Sequence, residues 1–204
     1  LYMPEVGVLY EYKELEADGG DMKTANFYSR IRPLEDLALR VNVPYSSYSP
    51  DQGDDTDGVG DVTIGADLIG YEGLLDYPYV IPYVDHTFDT GDEDENLGRG
   101  EDFTTFGVGV GTIVDDKYHW MLDAGYRVFD DSDNALIVGG SFLWELSDQF
   151  AAIAETQYHQ KPDAPDSEDD YAQFYTAGFA YEASEMLTFG LYGTRGYHNT
   201  DQDV

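Results

Sequence analysis

In the stretch Tyr118-His-Trp-Met-Leu-Asp-Ala-Gly-Tyr-Arg-Val-Phe129, apolar and polar residues alternate along the chain. One set contains Trp120 and Leu122, and the other contains Asp123 and Arg127. Because successive side chains of a β-strand point to opposite faces, this segment is predicted to be a strand with one apolar and one polar face. Its length is sufficient for a tilted strand to cross a lipid bilayer.

About eleven such runs follow one another, and the connections between them alternate between short and long. The predicted strands are 3–15, 23–34, 37–49, 60–73, 77–90, 103–115, 118–129, 134–146, 150–162, 171–183 and 186–198. Tight turns such as 35–36 alternate with acidic connections such as 50–59 and 91–102. Outer-membrane barrels have short periplasmic turns and longer extracellular loops. The sequence therefore predicts an all-β, transmembrane, antiparallel up-and-down β-barrel that occupies residues 1–204 as one domain.

Strand number and the start of the chain give two further expectations. Single-chain bacterial barrels have an even number of strands, so eleven visible strands predict a barrel of about 12 whose C-terminal closing strand is missing from this sequence. The chain starts at Leu1 without a charged n-region, which predicts that a signal peptide has been removed.

The composition is strongly acidic. The 204 residues include 42 Asp and Glu but only 10 Lys and Arg, which gives a formal net charge of −32, and Cys is absent. A chain with no basic patch is not expected to bind nucleic acid. Dense carboxylates stay hydrated in salt, so the halophilic composition predicts a saline habitat.

Many of the charged residues fall on the polar set of their strands. The residues predicted to line the lumen and to set its selectivity are Lys13, Arg30, Arg32, Arg40, Asp67, Asp85, Asp123, Arg127, Glu145 and Glu155. A charge inside a narrow lumen must be paired or hydrated. Two interpretations stay open at this point: the charges close a small barrel through ion pairs, or they line a path for solutes.

Two acidic connections have the composition of calcium loops, with oxygen ligands and turn-forming glycines. The candidate ligands are Asp51, Asp54, Asp55 and Asp57, and 91–96 is similar. Neither has the full EF-hand spacing, so a solvated acidic loop is the alternative. The four His residues show no triad spacing, and no zinc or dinucleotide motif is present. The sequence predicts no enzyme and no cofactor other than this loop-bound Ca²⁺.

Several short motifs resemble one family in their order along the chain. They are Gly58-Val-Gly-Asp-Val-Thr-Ile-Gly65, Asp89-Thr-Gly-Asp92, Leu97-Gly-Arg-Gly100, Phe106-Gly-Val-Gly109, Gly125-Tyr-Arg127 and Glu155. Over residues 37–198 the chain resembles the MetA-pathway of phenol degradation family. Two features depart from that family: Asp89 stands where the family usually has Pro, and the closing strand is missing. The resemblance implies an outer-membrane protein through which small organic molecules pass.

The predicted function is therefore a channel or transporter in the outer membrane of a Gram-negative bacterium. Its expected solutes are small molecules, and hydrophobic compounds are one candidate class among them. The expected partners are outer-membrane lipids, lipopolysaccharide and the solute. A second copy of the chain or a surface protein is a further expected partner. The alternative is a structural outer-membrane protein, a closed barrel whose acidic loops bind a surface-layer, filament or neighbouring protein.

Overall fold

The computed structural model describes residues 5–15, 20–50, 53–68, 79–130, 134–160, 171–184 and 187–198. Within these ranges all regular structure is β-strand. The strands are β1 (Glu5–Leu15), β2 (Gly20–Leu34), β3 (Leu37–Pro50), β4 (Thr56–Val59), β5 (Val62–Leu68), β6 (Tyr79–Phe88), β7 (Phe103–Val114), β8 (Tyr118–Phe129), β9 (Ala135–Ser147), β10 (Phe150–Gln160), β11 (Tyr171–Ser184) and β12 (Leu187–His198). Each predicted strand has a counterpart, and the alternation that predicted β8 extends from its first residue to its last.

The strands follow one another around a single antiparallel sheet in the order β1-β2-β3-β5-β6-β7-β8-β9-β10-β11-β12. The short strand β4 pairs with 45–48 of β3, whereas β5 pairs with 37–42 of the same strand. The two strands therefore occupy one place in the sheet, interrupted at Gly60 and Asp61. The prediction of a connection over 50–59 is wrong for 56–59, because the backbone there pairs with β3. The predicted turn between 73 and 77 lies outside the described residues.

The two edges of the sheet come together. Cα atoms of β1 and β12 approach within 8 Å, although no ladder joins these strands among the described residues. The sheet therefore forms a nearly closed, up-and-down β-barrel, as the sequence predicted. Tight turns at 35–36, 115–117 and 148–149 lie at one end, which we call the tight-turn end. The connections at 53–55 and 89–102 lie at the other, which we call the long-loop end.

The outer surface of the barrel is apolar. Leu122 and Leu191 are 70% and 72% exposed, and large apolar side chains on almost every strand share their outward orientation. Near the tight-turn end, Trp120 on β8 packs on Phe142 of β9 with ring centroids 4.3 Å apart. No large side chain among the described residues is fully buried. The apolar residues therefore cover the outside of the barrel and do not form a packed interior.

No helix in the described part of the chain is long and apolar enough to cross a membrane.

Candidate functional site in the barrel lumen

The barrel encloses two cavities of about 770 and 700 Å³. The first lies toward the long-loop end and is bordered by Asn96 and Arg99, while the second lies toward the tight-turn end and is bordered by Arg30 and Asp67. Tyr28, Glu155 and Gln157 border both cavities. The two cavities are therefore neighbours along the barrel lumen, with these three residues at their common border.

Four charged residues, which we call the Arg40 cluster, form an ion-pair network on one wall of the lumen: Arg30, Arg40, Asp67 and Asp85. Arg30 and Arg40 stand opposite each other in the ladder of β2 and β3, where two like charges repel. Asp67 of β5 relieves this repulsion, because its carboxylate lies 3.4 Å from Arg30 Nη2 and 2.9 Å from Arg40 Nη2. Asp85 of β6 lies 3.0 Å from the same Arg40 nitrogen.

A second wall has carboxylates that no basic group accompanies. Asp123 of β8 and Glu155 of β10 both border the second cavity. Neither makes an ion pair or a hydrogen bond with any other described residue. The Asp123 carboxylate lies over Gly139 of β9, where a Cβ would come within 2.2 Å of Oδ1. Because an unpaired carboxylate in a lumen must be hydrated, this wall is expected to be wet and to attract cations.

Arginine side chains stack on aromatic rings near the long-loop end. The guanidinium of Arg127 lies 4.3 Å from the ring centroid of Phe103, and its Nε donates to Thr105 Oγ1 at 3.2 Å. Arg99, from the connection between β6 and β7, lies 4.4 Å from the ring of Phe129. Cation–π contacts of this kind hold guanidinium groups in fixed positions. Both arginines border the first cavity.

The remaining predicted lumen residues lie apart from these groups. Glu145 Oε1 accepts a hydrogen bond from His119 Nε2 at 2.8 Å toward the tight-turn end. Arg32 lies where the register of β2 and β3 shifts between Ile31 and Leu34. Lys13 belongs to β1, but its side chain is not among those described. The structure thus brings Arg30, Arg40, Asp67 and Asp85 together, and Asp123, Arg127 and Glu155 border the cavities separately from them.

Comparison with known proteins identifies the family. The family model described as MetA-pathway of phenol degradation matches residues 22–204. The chain belongs to this family. The match confirms the family that the sequence motifs resembled and extends it toward the N-terminus, beyond residue 37. No curated protein matches the sequence.

This member of the MetA-pathway of phenol degradation family is also similar in fold to a protein whose structure has been solved. The COG4313 outer membrane channel from Pseudomonas putida F1 is 13% identical and superimposes with a TM-score of 0.68. The similarity covers 96% of this chain and 87% of the other. At this identity the similarity shows the fold, and it agrees with the barrel described above.

Sequence reasoning missed two parts of the lumen. The first is the connection 91–102, predicted as an outer loop, of which Asn96–Arg99 borders the first cavity. The signal was the apolar Leu97, followed by Gly98 and Gly100, in an otherwise acidic segment. The second is a set of inward tyrosines: the ring of Tyr83 lies over Gly107, and a Cβ on Gly107 would come within 2.3 Å of it.

The predicted calcium loop stays a prediction. Asp51 lies outside the described residues, and Asp57 accepts a hydrogen bond from the Tyr45 hydroxyl. Among the residues that the structure describes, no group of three or more acidic or imidazole side chains is arranged around a common metal position. Asp54 and Asp55 are exposed in the connection before β4.

Proposed function

We propose that this protein is an outer-membrane channel that passes small solutes through its charged lumen. The observation that supports this most directly is the lumen itself: two cavities that share wall residues, with Asp123 and Glu155 unpaired among the described residues. A barrel whose apolar surface faces outward and whose polar groups face inward is suited to lipid outside and water inside. The similar solved structure is, by its title, an outer membrane channel.

The distribution of charge predicts a preference for cations. More carboxylates than guanidinium groups border the two cavities. The arginines of the Arg40 cluster are engaged by Asp67 and Asp85, so they contribute little net positive potential. A lumen lined by one sign of charge concentrates counter-ions of the other. We therefore propose transport as the role of the protein and cations as the solutes that its lumen favours.

Planar-bilayer recording in a KCl gradient tests the proposal. The purified barrel is expected to give discrete conductance steps and a zero-current potential of the sign that marks cation preference. The double variant Asp123→Asn with Glu155→Gln removes the unpaired carboxylates and is expected to reduce that preference. The matched control, Asp115→Asn with Asp116→Asn, removes two charges from a tight turn outside the lumen and is expected to change the preference little. A correctly folded barrel without conductance would instead favour the closed, structural alternative.

A further inference from the structure

The connection between β6 and β7 forms a narrow-necked loop. The backbones of Gly91 and Gly98 touch: a Cβ on Gly91 would lie 2.6 Å from Gly98 Cα and 2.4 Å from the carbonyl oxygen of Leu97. Within the loop, the Leu97 N–H donates to the Asp92 carbonyl at 2.8 Å. A compact loop whose ends lie close together is an Ω-loop, a type that is frequently functional.

One carboxylate holds both sides of this neck. Asp61 Oδ1 accepts hydrogen bonds from the N–H groups of Thr90 at 3.1 Å and Gly91 at 2.9 Å. Its Oδ2 accepts a third from the Arg99 N–H at 2.8 Å. Hydrogen bonds to an ionised acceptor are stronger than neutral ones. Asp61 lies in the interruption between β4 and β5, so it fastens the loop to the neighbouring part of the barrel wall.

The base of the loop, from Asn96 to Arg99, faces the barrel lumen. Leu97 is only 8% exposed and packs on the inner side of the wall, where a Cβ on Gly58 would meet its Cδ1 at 2.8 Å. On the other side, Arg99 stacks on Phe129 of β8. The loop therefore extends from the β4 wall toward the β8 wall. Its inner residues border the same cavity as Tyr192 on β12.

We propose that the 89–102 loop is a fixed constriction of the lumen and that Asp61 is the residue that positions it. This inference rests on the proposed channel function, because a constriction has a functional meaning only where solutes pass. It assigns the upper size limit for solutes to Asn96–Arg99, the part of the loop inside the first cavity. Asp61 acts through the loop backbone and has a positioning role.

Thiol labelling tests the position of the loop without any conductance. The chain has no cysteine, so Leu97→Cys introduces a single thiol at a buried position. With Asp61 intact the thiol is expected to react slowly with a water-soluble maleimide. Adding Asp61→Ala removes three hydrogen bonds from the neck and is expected to speed labelling about tenfold or more. The matched control is Asp57→Ala, which removes a carboxylate of neighbouring β4 that bonds Tyr45 instead. Equal labelling rates with and without Asp61 would overturn the inference.

Conductance and solute entry test whether the loop limits the size of the solutes that pass. Asp61→Ala is expected to raise single-channel conductance and to admit larger neutral sugars in liposome swelling, whereas Asp57→Ala is not. A second variant deletes residues 92–97 and joins Gly91 to Gly98, whose backbones already touch, so that the wall can fold without the segment that these two glycines enclose. It is expected to raise the size limit further. An unchanged size limit in a conducting deletion variant would overturn the constriction. The absence of conductance in the wild type and in every variant would overturn the channel function. The labelling rates would still test the role of Asp61 in that case.

Discussion

Arg40 on β3 and Asp85 on β6 meet inside the barrel at 3.0 Å, although β5 lies between their strands. Gly65 of β5 stands directly between them, paired with Arg40 on one side and Asp85 on the other. A Cβ at Gly65 would lie 1.9 Å from Asp85 Oδ1. The ion pair therefore depends on the absence of a side chain at the intervening position, which lets the carboxylate reach across a whole strand.

Replacement of Gly65 is expected to break this pair. In Gly65→Ala the new methyl group occupies the position of the carboxylate oxygen, so Asp85 must rotate away from Arg40. We expect a loss of about 1–3 kcal/mol in the free energy of unfolding, as for other overpacked sites, measured by urea unfolding in lipid vesicles. Gly193→Ala is the control, because a Cβ there meets nothing within 4 Å. An equal effect of the two substitutions would contradict the crossing geometry.

Removal of Arg40 is expected to change both stability and selectivity. Arg40→Gln leaves Asp67 and Asp85 facing each other without their shared cation, so the cation preference of the channel should rise. The free energy of unfolding should fall by about 1 kcal/mol, less than for a fully buried pair, because the Arg40 side chain is 38% exposed. The checks are the zero-current potential and urea unfolding.

Two further variants make that result specific to the Arg40 cluster. Adding Asp85→Asn to Arg40→Gln should restore part of the lost stability, because Asp85 is then neutral while Asp67 keeps Arg30 as its partner. Arg195→Gln on the exposed outer side of β12 should leave the cation preference unchanged. Strict additivity of the Arg40 and Asp85 substitutions would show that the two residues do not interact.

A charge on the outer face is expected to be far more damaging than one in the lumen. Leu122→Arg places a guanidinium on the apolar outer surface, and a charge near the bilayer midplane destabilises a barrel by about 2–4 kcal/mol. Gln157→Arg places the same group in the lumen, where Glu155 borders the same cavity. Because the guanidinium can be hydrated or paired there, this substitution should be tolerated. Folding yield into lipid vesicles measures both. A lower folding yield for Gln157→Arg than for Leu122→Arg would mean that position 157 faces lipid and position 122 faces the lumen, which contradicts the assignment.

The period-two pattern was sufficient to predict the strands and the direction of most charged side chains. It placed Arg30, Arg40, Asp67 and Asp85 on the inner face because side-chain direction is a local property of a strand. It could not predict which of them meet, because that depends on the register of four strands and on Gly65. The short strand β4 was missed because Thr56–Val59 lies among aspartates and glycines, and its pairing is imposed by β3.

The inward loop could not be predicted from local pattern either. Its acidic composition is that of a solvated outer loop, and residues 92–95 are indeed exposed. What turns its base inward is Asp61, a residue some thirty positions earlier in the chain, together with the ring of Phe129. Contacts between separate connections have no periodic signature in the sequence. The position of the 89–102 loop in the lumen could therefore be found only from the structure.

Single-cysteine scanning of residues 120–127 on β8 tests most directly whether lipid surrounds the barrel and water fills it. A fluorophore at Leu122→Cys or Ala124→Cys should be quenched by brominated lipid tails. Thiols at Met121→Cys and Asp123→Cys should instead react with a small water-soluble reagent. Contact with lipid and contact with water should therefore alternate from one residue to the next along the strand. Uniform labelling along the strand, or quenching of the 121 and 123 positions by lipid, would contradict the account.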